Sequence, residues 1–79
     1  MTELEFYLLD VEEKAVEVFE KGIYAATAEY YGSKIVLYSL YTFWVEVYYD
    51  PDDNEIIDVV LATPEAMKKY LGQIKIDSF

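Results

Sequence analysis

Arginine, histidine and cysteine are absent from this 79-residue chain, and only three glycines and two prolines interrupt it. Without cysteine there is no disulfide. Without thiolates or imidazoles a structural zinc site is nearly excluded, because such sites are built from those groups. Ser33, Ser39 and Ser78 have no histidine to activate them, so nucleophilic catalysis lacks its base. Gly22, Gly32 and Gly72 stand apart from one another, so there is no glycine-rich phosphate loop. An enzyme is not expected, and no cofactor is implied.

Positive charge is also scarce. Six lysines face sixteen Asp and Glu, for a formal charge of -10. Such a chain repels the phosphates of nucleic acid. The longest uncharged run, 35–45, is about half of what a membrane span needs, and the acidic start Met1-Thr2-Glu3-Leu4-Glu5 is unlike a secretory leader. The expectation is a soluble, cytoplasmic protein that contacts neither membrane nor nucleic acid directly.

What is present is apolar. Hydrophobic residues make up 54% and aromatics 18%. A chain of this length folds as one domain, 1–79, and buries only about 60% of its unfolded surface. Dense packing and association with another chain are the remaining sources of stability.

The periodicity predicts an α+β fold with element order α-β-β-β-β-α. Val11, Ala15, Val18 and Phe19 form one helical stripe between Asp10 and Lys21, with Asp10 and Glu13 spaced as a capping box and Gly22 placed for a left-handed helix end. Thr2 and Glu5 form a second such box, which favours one long helix from about residue 3, although residues 3–6 also alternate like a strand. From residue 23 the period becomes two. Strands are expected at Ile23–Tyr31, Ile35–Tyr41, Phe43–Tyr49 and Ile56–Leu61, joined as an antiparallel meander. Thr63-Pro64-Glu65 opens a short second helix, with Lys68 and Lys69 late in it where the dipole favours cations. A short edge strand is expected at 74–76.

Polar residues assign the sheet faces. Taking Thr27, Glu29, Glu46 and Asp58 as outward leaves Tyr24, Ala26, Ala28, Tyr30, Phe43, Val45, Val47, Tyr49, Ile57, Val59 and Leu61 beneath the first helix. The other face would carry Tyr31, Ile35, Leu37, Tyr41, Trp44, Tyr48, Ile56 and Val60. That is more apolar surface than a soluble monomer usually exposes. The expected function is therefore a non-enzymatic protein-protein interaction module working through this aromatic sheet face, with a second copy (a homodimer) or a basic protein as partner.

Two alternatives carry their own residues. Glu12, Glu13, Glu17 and Glu20, with Asp50, Asp52, Asp53 and Glu55, would serve an inhibitor that imitates nucleic acid for a basic protein; the plainer role is solubility. Tyr24, Tyr30, Tyr38, Trp44 and Tyr48 would line a small-ligand pocket; the plainer role is sheet packing. Glu29, Glu46 and Asp58 are the carboxylates that one sheet face would bring together for acid-base work. Asp50, Asp52 and Asn54 begin like an EF-hand calcium loop, but Glu55 stands where glycine is needed and Leu61 where the bidentate Glu is needed. The segment reads as a hairpin turn, and no metal is expected.

Overall fold

A computed structural model describes residues 1–70, with only the backbone at Tyr30. The expected edge strand at 74–76 and Gly72 lie outside the described residues. Helices α1 (Glu3–Tyr7) and α2 (Val11–Lys21) precede strands β1 (Ile23–Tyr30), β2 (Ser33–Leu40), β3 (Phe43–Tyr49) and β4 (Ile56–Leu61), and a 3-10 helix spans Ala66–Tyr70. The strands form one antiparallel sheet in the order β1-β2-β3-β4. The α+β meander is as the sequence predicts. No helix among the described residues is long and apolar enough to cross a membrane.

Each helix start is fixed by its own capping box, and this separates α1 from α2. Thr2 Oγ1 accepts from the Glu5 amide and Glu5 Oε1 from the Thr2 amide. Asp10 and Glu13 repeat the exchange. To cap α2, Asp10 adopts an extended backbone (φ -78°, ψ 174°), which no continuous helix can contain. The single long helix is thus corrected to two, and residues 3–7 are helix rather than strand.

Gly22 departs from its expected role. Its backbone is extended, φ -75° and ψ 152°, not left-handed. Glycine is needed there for closeness instead: a Cβ would stand 2.5 Å from the Val18 carbonyl oxygen.

Two-residue loops join the first three strands, set by the pairs Tyr30–Ser33 and Leu40–Phe43. Tyr31 and Gly32 both have positive φ, 52° and 82°, as a type I′ hairpin requires to match the strand twist. The loop at 50–55 is built by its own acids. Asp50 Oδ1 accepts from the Asp52 and Asp53 amides, Asp53 Oδ1 accepts from the Glu55 amide, and Asn54 takes positive φ.

Both sheet faces are core. On the helix side, Phe6 of α1 and Val18 of α2 pack with Leu40, Phe43, Val45, Val47 and Val59. On the opposite face Ala26, Ile35 and Leu37 pack with Met67 and Tyr70 of the 3-10 helix, flanked by Trp44 and Tyr48. Two bulges correct the expected faces. One between Tyr24 and Ala26 puts Ala26 opposite Leu37 and Ala28 opposite Ile35, so both alanines join the second face. Thr27, expected outward, pairs with Val36, and its hydroxyl meets the Tyr24 hydroxyl at 2.9 Å. The other, between Tyr48 and Tyr49, places Ile56 opposite Tyr49 in the helix-side layer and leaves Ile57 exposed.

Tyrosine is a poor residue for left-handed backbone, whereas asparagine adopts it more readily. Tyr31 is also 92% exposed. Tyr31→Asn should stabilise the fold by about 0.5–1 kcal/mol, raising Tm by roughly 2–8 °C in calorimetry; an unchanged or lower Tm would show the turn is not strained.

Candidate functional site

Two regions hold the side chains that stand out chemically, one on each face of the sheet. On the second face, Glu46 of β3 is 2% exposed, and its neighbours are apolar. A buried carboxylate is tolerable only with donors close by. Both come from the end of the 3-10 helix: Tyr70 Oη donates to Glu46 Oε2 at 2.6 Å, and Lys69 Nζ lies 2.8 Å from the same oxygen. The ammonium also sits over the Tyr48 and Tyr70 rings at 5.9 and 5.8 Å, a geometry that favours a cation. No described buried side-chain polar atom lacks a partner.

The electrostatics follow from the packing. Burial raises the Tyr70 phenol well above its ordinary range, and its hydrogen bond to Glu46 and that group's charge add to the shift. For Lys69 burial works against the ammonium and is the largest single influence, yet the bond to Glu46 and the charge of Glu46, with Tyr48, together outweigh it and raise the lysine. The arrangement holds charge in place. It does not leave a base or acid facing an open cleft, which proton transfer to a substrate needs.

The three carboxylates expected on one face do not meet. Glu29 pairs with Lys34, which pairs with Tyr49 of the helix-side layer, so the bulge in β1 has turned Glu29 to the face opposite Glu46. Asp58 is exposed, and its Oδ1 accepts from the Val59 amide. The proposed aromatic pocket is divided as well: Tyr24 and Tyr38 touch on the helix side, Trp44 and Tyr48 lie on the other, and the Tyr30 side chain is outside the described set.

Of the eight residues expected on the aromatic sheet face, Ile35, Leu37, Trp44 and Tyr48 do come together, and Val60 joins them by pairing with Glu46. Ile35 and Leu37 are fully buried, however, and Trp44, Tyr48 and Val60 are half-buried. Ile56 belongs to the other layer. Tyr31 and Tyr41 occupy hairpin turns, and Tyr41 donates to Glu17 of α2 on the helix side.

The open apolar surface lies elsewhere. Nine of the twelve exposed large apolar side chains among the described residues fall within residues 1–24, including Leu4, Tyr7, Leu8, Val16, Phe19 and Ile23. The sequence reading missed this, because Val11 and Phe19 fit the α2 stripe yet are exposed, while Ala15 and Val18 face the core. Beside Val16 is an open groove of about 410 Å3, lined by Met1, Leu9, Glu12, Glu13, Val16 and Glu17. On α2, Val16 follows Glu12 and Glu13 by four and three residues and precedes Glu20 by four, so these carboxylates ring it. The second acidic group, Asp50, Asp52, Asp53 and Glu55, sits on the β3–β4 loop, where Asp50 and Asp53 fold the turn. Compared with protein-family models, curated proteins and solved structures, the chain matches none.

The Tyr70 and Lys69 shifts give a signed pH effect. Both are raised in the folded state above ordinary values of 10.0 and 10.5. Above pH 10 the unfolded chain gives up these protons first, so the stability they contribute is complete at neutral pH and is lost as pH rises. In urea titrations Tyr70→Phe should cost about 1.5–3 kcal/mol at pH 7. Above pH 10 the gap to the native chain should close by up to about 1.4 kcal/mol per pH unit; parallel profiles would contradict the Tyr70 assignment.

Proposed function

We propose that this protein is a non-enzymatic interaction module whose contact surface is the helical layer of residues 1–24, and that its partner is a protein segment with an apolar face bordered by cations. The observation that carries this is the groove in which exposed Met1 and Val16 and half-buried Leu9 lie among Glu12, Glu13 and Glu17. An apolar side chain entering it would lose water while flanking lysines or arginines met the carboxylates, and such complementarity steers encounter and rejects acidic partners.

The same charge argues against a second copy. A twofold contact presents one patch to itself, so Glu12, Glu13 and Glu20 would face their own copies on a chain of net charge -10. A basic partner relieves that repulsion. The non-enzymatic reading is supported by the closed Glu46, Lys69 and Tyr70 cluster and by the separation of Glu29 from Glu46. Nucleic-acid imitation finds less support, because Asp50 and Asp53, two of the acids it would use, are committed to folding their own loop.

A helical peptide of leucine and lysine is a suitable probe. It should bind the native chain, weakly at high salt because exposed charge contacts are screened, and the isosteric leucine–glutamate peptide should not bind. Val16→Ser and the pair Glu12→Lys, Glu20→Lys should each weaken binding by about tenfold, roughly 1.4 kcal/mol. Asp52→Asn with Glu55→Gln should leave it unchanged. Equal loss from the loop variant would reveal non-specific attraction, and sedimentation as a dimer would show that the surface is self-occupied.

A further inference from the structure

We propose that Thr63–Tyr70 is a strap that lifts from the sheet as a unit, with Glu46 as its clip, and that lifting uncovers Ile35, Leu37, Trp44 and Tyr48. The chain leaves the sheet at the bond from the Ala62 amide to the Trp44 carbonyl, 2.8 Å. It then crosses from β4 at one edge to the 3-10 helix, which packs on β1 at the other edge. The turn into the strap is local: the Ala66 amide donates to Thr63 Oγ1 at 3.1 Å, the Met67 amide to the Thr63 carbonyl at 3.1 Å and the Lys68 amide to the Glu65 carbonyl at 3.3 Å. The helix is five residues long, too short to hold itself.

Among the described residues, Met67, Lys69 and Tyr70 fasten it to the sheet. Met67 and Tyr70 supply the apolar contact. Lys69 and Tyr70 both reach a single oxygen, Glu46 Oε2. Loss of that one acceptor therefore removes two charge-assisted bonds together. By contrast β2 and β3 are paired on both sides. Segments with few buried contacts open at a lower free energy than the core they rest on. Lifting breaks both bonds to Glu46 and exposes Met67 and Tyr70, and is offset only in part by water reaching the freed carboxylate, so the clip sets how often the face is exposed. The strap thus occupies the aromatic surface that the sequence marks as a contact face.

Native-state hydrogen exchange on the full chain reads this directly. The Met67 and Lys68 amides should exchange through a local opening, faster than the β3 amides and with weaker dependence on denaturant. In Glu46→Gln, which keeps the side-chain shape, their exchange should accelerate by about tenfold to a hundredfold while keeping its weak dependence on denaturant. Lys69→Met, which keeps the apolar stem, should act in the same direction without altering the carboxylate. If the strap and β3 amides exchange together in the native chain, or if neither variant speeds the strap amides, the strap is part of the global fold and the proposal fails.

Discussion

A four-stranded sheet that is apolar on both faces needs two covers, and the rest of this structure answers that need. Among the described residues both covers are short. The first is the α1–α2 pair, which places Phe6 and Val18 on the β2–β4 layer. The second, among the described residues, is a five-residue 3-10 helix that brings Met67 and Tyr70 over Ala26, Ile35 and Leu37. Such a short cover cannot hold by area alone. Glu46, placed in the middle of the covered face, gives it a charged anchor, and the low dielectric there strengthens the bonds to Lys69 and Tyr70.

The covers differ in what they leave outside. The second buries Ile35, Leu37 and Glu46 and leaves Trp44 and Tyr48 half-buried. The first turns Val18 and Ala15 inward but leaves Val16 and Phe19 outward, with glutamates at i−4, i−3 and i+4 around Val16. Net charge keeps this surface dispersed in water and selects against acidic neighbours. The aromatic face and the acidic helix, two separate features in the sequence, thus take different roles: one a closed layer, the other the rim of an open groove.

Much of the fold is legible from local pattern. The switch from period 3.6 to period two at residue 23 locates the sheet, β3 and β4 begin and end where expected, and both capping boxes form. The faces are harder, because a single bulge inverts everything beyond it. The bulges at Tyr24/Ala26 and Tyr48/Tyr49 do this to Ala26, Ala28, Ile56 and Ile57. Polar markers mislead for the same reason. Thr27 finds a hydroxyl on Tyr24, and Glu46 finds donors 23 and 24 positions away, at Lys69 and Tyr70. No local rule connects those positions. The two adjacent donors at 69 and 70 were the available hint, and helix-dipole reasoning accounted for Lys69 without them.

The central claim is that the second sheet face is covered by the chain's own strap rather than by another molecule. Trp44 reports on it, being the one tryptophan and packed beside that layer. Acrylamide quenching of Trp44 in the dilute monomer is the direct measurement. A quenching constant well below that of the urea-unfolded chain is predicted; equal quenching in the folded and unfolded chain would contradict the account.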